Sequence, residues 1–167
     1  MKQASPLHGI TRVVGFMVAT TMAGGLFAAM PHGRTGDPAY AAAAQDHPRR
    51  VVVHLTHTTD DLNAAFMALK LARVMQSTGA SVHLFVDLEG ARVADKRVPG
   101  DLRWGPGDTT LGELYDALVK AGGTVVVCPH CATAAGLDQA NLRPGARIGT
   151  LEEIGQILME ADVIMDY

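Results

Sequence analysis

The stretch TVVVCPHCATAAG, residues 124–136, decides the fold. A short β-branched run, Thr124 to Val127, leads into Cys128-Pro129-His130-Cys131, and small helix-forming residues follow until Gly136 closes the segment. This pattern predicts a buried strand, a tight corner and a short helix ended by glycine. The chain's only two cysteines both lie in that tetrapeptide, so candidate chemistry is thiol chemistry. Proline suits the first helical position, and histidine adds a titratable group beside the sulfurs. With Cys128 at a helix N-terminus, free N–H groups and the helix dipole are expected to favour thiolate, with Cys128 attacking and Cys131 resolving. A passive pair of buried thiols, a structural disulfide or half of a zinc site are the other readings of the same residues.

Outward from this segment, strand and helix alternate. Arg50 to Thr56 is a β-branched run for a parallel strand, broken at His57-Thr58-Thr59-Asp60. Leu62, Phe66, Leu69 and Ala72 share one face of a helix that stops at Ser77-Thr78-Gly79, and Ser81 to Leu88 reads as the second strand. Gly100 to Asp108 is an exposed loop, with Trp104 expected to fold back on the core. Thr110-x-x-Glu113 and Thr150-x-x-Glu153 are helix-opening signals, and Leu142 to Gly149 and Asp162 to Tyr167 supply the remaining extended pieces. The expected fold is α/β: three layers, flavodoxin-like, with a mostly parallel sheet of about five strands and helices on both faces. In such folds ligands gather at the carboxyl ends of strands. His54, Thr56, His57, Asp87, Glu89, Cys128 and Cys131 fall at or beyond those ends. His54 reads most simply as a hydrogen-bonded core residue and His57 as a polar turn residue. Asp87 and Glu89 read as solvated carboxylates.

At 167 residues, 48% of them hydrophobic, the chain suits one compact domain. Residues 1–44 are set apart. Lys2 and Arg12 precede an uncharged run from Val13 to Met30, followed by a Pro/Gly-broken segment and an alanine tract at Ala39 to Ala44. This is secretory signal architecture plus a linker, with an uncleaved anchor as the alternative. Residues 48–167 form the α/β domain. Cleavage near Gln45 lowers the basic count from 14 to 11 and the acidic count from 17 to 16, leaving a net charge of −5. That balance gives nucleic acid no basic surface to bind. Export to the periplasm or beyond exposes a Cys-x-x-Cys pair to oxidants that the cytosol lacks.

The order of these pieces resembles the DsrE/DsrF-like family of sulfur-relay proteins. The residues carrying the resemblance are Val51 to Thr56 with Asp60-Asp61-Leu62, Ala68 to Ala72 up to Gly79, Val82 to Gly90, Val125 to Ala132 with Gly136, and Asp162 to Met165. The resemblance implies a homo-oligomer that carries sulfur as a cysteine persulfide on Cys128 or Cys131; in the carrier reading His130 tunes the thiolate, and no cofactor is expected. Its partners would be a sulfur donor or acceptor protein, or a small sulfur species. An exported copy parts from the cytoplasmic customers of that family. The Pro-His pair also looks like the tetrapeptide of DsbA, a strongly oxidising thioredoxin-fold enzyme, but only 36 residues follow Cys131, too few for the rest of that fold. Two further functions stay open: a dithiol-disulfide oxidoreductase acting on exported proteins, and a zinc- or copper-binding module using Cys128, Cys131, His54 and His57.

Overall fold

The computed structural model describes residues 47–167; the signal or anchor reading of residues 1–44 falls outside them. Five strands, β1 (Arg50–Leu55), β2 (Ser81–Val86), β3 (Thr124–Val127), β4 (Ala146–Ile148) and β5 (Val163–Asp166), form one sheet in the order 4-3-2-1-5. Every pairing is parallel. Between them run α1 (Leu62–Ser77), a 3₁₀ segment (Leu88–Ala94), α2 (Leu111–Lys120), α3 (Pro129–Ala134), a 3₁₀ turn (Gln139–Asn141) and α4 (Leu151–Met159). This is the three-layer α/β arrangement that the alternation predicts.

Alternating side chains divide each strand between two faces. Val51, Val53 and Leu55 of β1, Leu84 and Val86 of β2, and Val125 and Val127 of β3 join Phe66 and Leu69 of α1 and Leu111, Tyr115 and Leu118 of α2 in the main core. Val52, Phe85 and Val126 point the other way, against Ile154 of α4 alone among buried residues. Among the described residues, no helix is long and apolar enough to cross a membrane.

Capping explains where the helices begin. The Asp61 side chain accepts the Ala64 N–H at 3.0 Å and starts α1. Thr110 and Glu113 satisfy each other's backbone N–H groups, a complete capping box opening α2. Thr150 accepts the Glu153 N–H at 3.2 Å, but the Glu153 carboxylate turns away to Arg147 on β4. The tetrapeptide helix is short: α3 has six residues.

Two expectations are corrected. The expected strand Ser81–Leu88 stops at Val86, because Leu88 turns to φ +45° and opens the 3₁₀ segment. Trp104 does not fold back on the core; it is 39% exposed. Gly105, at φ +76°, and Pro106 carry the loop outward there, and Arg103 reaches across to the Asp108 carbonyl to close it.

Candidate functional site

Strand β3 hands over to α3 at Cys128, which is the helix N-cap, with Pro129 in the first turn. The Cys128 N–H donates to Val86 C=O at 2.9 Å, continuing the β2–β3 ladder past the strand end. Its side chain packs against the Val52–Phe85–Val126–Ile154 cluster on the second face. Cys131 lies on the other side and packs against the main core. Both thiols are free and half-buried.

The N–H donor expected on Cys128 is found on Cys131. No first-turn N–H reaches the Cys128 sulfur, since Pro129 has none to give and the others run along a single short helix. Instead Leu88 donates its N–H to Cys131 Sγ at 3.1 Å. Leu88 is the one residue other than glycine with positive φ among the described residues, and its side chain is 66% exposed. Hydrogen bonds around it hold that strained backbone in place. The Gly90 N–H donates to Thr56 C=O at 2.8 Å, and the Thr58 hydroxyl donates to Glu89 C=O at 3.1 Å. Gly90 itself is pressed against β1: a Cβ there would lie 2.0 Å from Leu55 O. Only glycine lets the 3₁₀ segment close this tightly on the strand end.

Burial pushes the Cys131 thiol above its ordinary range. The Leu88 N–H opposes that rise, and the adjacent Cys128 sulfur and the Asp87 charge add to it. Cys131 is therefore held as the neutral thiol. It opens on a cavity of about 250 Å³ lined by Leu88, Glu89, Arg92, Ala134 and Ala135. Glu89 and Arg92 pair across three residues at 2.6 Å.

On the second face, the register places His54 opposite Phe85, and the two rings stack with centroids 4.9 Å apart. His54 Nε2 meets Asp87 Oδ1 at 3.0 Å and Nδ1 meets Asp166 Oδ1 at 2.7 Å. His54 is thus a hydrogen-bonded strand residue, as its sequence setting suggests, but its partners are two carboxylates at the carboxyl end of the sheet. His57 stands apart, its Nδ1 2.6 Å from Asp60 Oδ2, a bond that raises its pKa. His130 is exposed, and among the described residues no hydrogen bond joins it to either sulfur. The four residues proposed as zinc or copper ligands do not converge. His54 and His57 are engaged by carboxylates, and no group of three or more potential ligands is clustered for a metal ion among the described residues.

Sequence reasoning brought the two cysteines together and missed Leu88 and Arg92. A left-handed leucine carries no sequence signal. Asp87 was legible in part: strand alternation puts it on the same face as Phe85 and His54, which makes it a partner rather than a solvated carboxylate.

A model of the DsrE/DsrF-like family matches residues 39–167. An uncharacterized protein of Methanocaldococcus jannaschii is 26% identical over 123 residues, spanning 71% of this chain and 99% of that relative. The crystal structure of the ychN protein from E. coli aligns with a TM-score of 0.60 at 21% identity, covering 72% of this chain and 99% of its own. A protein of unknown function from Methanobacterium thermoautotrophicum aligns with a TM-score of 0.57 at 16% identity, covering 71% and 99%. The family model spans residues 39–167 and the fold aligns with these solved structures: the chain belongs to the DsrE/DsrF-like family.

Proposed function

We propose that this protein is an exported sulfur carrier that takes sulfane sulfur onto Cys128 as a persulfide, with Cys131 as the resolving thiol. Family membership supports a sulfur-relay role in general terms. The observation that carries the finer reading is the asymmetry of the dithiol. Cys128 stands at the N-cap of α3 with no cap hydrogen bond on its sulfur, whereas the Cys131 sulfur accepts the Leu88 N–H at 3.1 Å and its pKa is raised, chiefly by burial, so the attack is assigned to Cys128. In loading, the Cys128 thiolate attacks the sulfane sulfur of a donor. A new S–S bond forms, and the bond to the donor's remaining group breaks, that group leaving with the electron pair. His130, exposed between the cysteines, contributes at most the field of its ring when protonated. Ile164, 46% exposed on the half-covered face, fits the homo-oligomer expected of the family, which light scattering of the purified protein measures.

Intact-mass analysis after exposure to thiosulfate or polysulfide tests the reading. The wild type and Cys131→Ser are expected to gain one sulfur atom, and Cys128→Ser none. If neither cysteine gains sulfur, the carrier reading fails. The same free, adjacent thiols also suit a dithiol-disulfide oxidoreductase. That function predicts turnover in an RNase-refolding assay and a redox potential near the oxidising end, where about 30 mV corresponds to about 1.4 kcal/mol.

A further inference from the structure

Cys131 forms part of the wall of a recess. The cavity of about 250 Å³ beside it is lined by Leu88, Glu89 and Arg92 of the 3₁₀ segment and by Ala134 and Ala135 at the end of α3, and Cys128 is not among its lining residues. That volume lies below the ~300–1,000 Å³ of sites for drug-sized ligands, so its occupant is a small molecule. One side is apolar. Leu88 is 66% exposed and its backbone N–H donates to Cys131 Sγ at 3.1 Å, so one residue both fixes the sulfur and walls the recess. The other side holds Glu89 and Arg92, joined Oε1 to Nε at 2.6 Å, with side chains 40% and 38% exposed.

The lining thus carries one negative and one positive charge. A ligand with a single charge meets as much repulsion as attraction there, whereas one bearing both an ammonium and a carboxylate pairs with Glu89 and Arg92 at once. Opening the existing pair costs little, because water screens exposed ion pairs, and a guanidinium has five N–H donors to share. The apolar side, Leu88 with Ala134 and Ala135, suits a short methylene stem. A sulfur on that stem faces Cys131.

We infer that this cavity binds a small amino-acid thiol, one bearing an ammonium and a carboxylate, and that this thiol reopens a Cys128–Cys131 disulfide by attacking Cys131. The inference rests on the carrier reading for the origin of that disulfide. When the Cys131 thiolate attacks Cys128 Sγ, the persulfide S–S bond breaks, hydrosulfide leaves with the electron pair, and the two cysteines remain joined. A reductant must then reach one of the two sulfurs, and the recess opens on Cys131 alone. The small thiol, as thiolate, forms a new S–S bond to Cys131 while the Cys128–Cys131 bond breaks and Cys128 leaves with the electron pair. A second small thiolate attacks the bound one. The disulfide of the two small molecules departs, and Cys131 leaves as thiolate beside the Leu88 N–H and takes a proton from water. The protein gains two electrons and the two small thiols lose them.

Protein oxidised with diamide and freed of the reagent is mixed with cysteine, 3-mercaptopropionate or cysteamine at equal thiolate concentration, and quenched samples are read by intact mass and peptide mapping. The adduct is expected on Cys131, and cysteine should form it about threefold faster than either singly charged thiol, the scale of exposed charge pairs. Ala134→Leu fills the recess from an exposed position at the end of α3, so the fold is kept, and it is expected to slow the cysteine reaction about tenfold or more by spoiling the approach. Arg92→Gln is expected to erase the preference for cysteine over cysteamine. In the Cys128→Ser protein, Cys131 exchanges directly with cystine and with the disulfides of the other two thiols, and the same order is expected there. An adduct on Cys128, equal rates for the three thiols, or a cysteine rate unmoved by Ala134→Leu overturns the inference. So does faster reaction with an unstructured cysteine-containing peptide, which would assign the recess to a protein partner. If sulfur never loads, or diamide yields no internal disulfide, it is the carrier reading that falls, and the Cys128→Ser arm still decides whether the recess selects an amino-acid thiol.

Discussion

The two faces of the sheet are built by different rules. The first is covered by α1 and α2 and seals most of the buried residues, from Val51 to Ala146, into one apolar cluster. The second has a buried cluster of only Val52, Phe85, Val126 and Ile154, under α4. This face also carries the polar row Asp87–His54–Asp166 at the carboxyl end and, toward the amino end, His83, which lines a cavity with Arg50, Arg147 and the Glu153 and Gln156 side of α4. Each strand therefore has an apolar face that holds the fold and a mixed face that holds the chemistry. The dithiol joins them, Cys131 belonging to the first face and Cys128 to the second.

Two phenylalanines test that division directly. Phe66 of α1 is 1% exposed in the main core, and Phe66→Ala is expected to cost about 3–5 kcal/mol with the alkylation pattern of the two cysteines unchanged at temperatures where the protein stays folded. Phe85 is 8% exposed and stacks on His54. Phe85→Ala is expected to cost less, toward the low end of about 3–5 kcal/mol, because water can enter the thinly covered side, and it should change the alkylation of Cys128, whose side chain packs on the same cluster. Urea unfolding paired with thiol alkylation measures both. Equal costs and equal reactivity would erase the distinction between the faces.

Gly90 comes next, at the junction. A methyl group there would collide with the Leu55 and Thr56 backbone, so Gly90→Ala must push the 3₁₀ segment off β1. The expected cost is about 2–3 kcal/mol, in the range of overpacking. The larger consequence is local. Displacing the segment withdraws the Leu88 N–H from Cys131 Sγ, so Cys131 should alkylate more slowly at a given pH while Cys128 changes little. Peptide mapping after partial alkylation separates the two.

How much of this was readable beforehand follows the same division. The β-branched run Arg50–Thr56, the strand reading of Ser81–Leu88 and the helical stripe Leu62–Phe66–Leu69 announce the layered fold. The capping boxes at Thr110 and the N-cap at Thr150 announce helix starts. The cysteine pair announces the kind of chemistry. The site's wiring was hidden for physical reasons: the Leu88 hydrogen bond depends on a positive φ that no leucine advertises, and the His54 contacts join residues 33 and 112 positions apart. Trp104 misleads because hydrophobicity says nothing about how far Gly105 and Pro106 carry a loop from the core.

Helix capping should matter less than either face. Thr110→Ala removes one half of the α2 capping box and is expected to cost about 1 kcal/mol without touching the thiols. A larger loss, or any change in alkylation, would mean that α2 communicates with the dithiol.

The smallest effect expected is a pH effect from two histidines of opposite sign. His83 sits on the second face in a cavity with Arg50, Arg147, Glu153 and Glu160, its Nδ1 2.6 Å from Thr124 Oγ1. Burial, then the Arg147 charge, lowers its pKa below the ordinary 6.5. The unfolded chain therefore binds this proton more readily, so stability is lost as pH falls below about 6.5. His57 is the reverse case: its bond to Asp60 raises its pKa, and its contribution is present below about 6.5 and lost as pH rises through the raised value. Both side chains meet solvent, which screens the effects, so each should move the melting temperature by no more than about 2 °C between pH 5.5 and 7.5. His83→Gln should flatten the acid-side fall, and His57→Gln should deepen it. If His83→Gln left the acid limb unchanged, the thinly covered face would be open enough to solvate an imidazolium along its whole length, and the contrast between a sealed and a half-sealed face would narrow to the carboxyl end, where His54 lies.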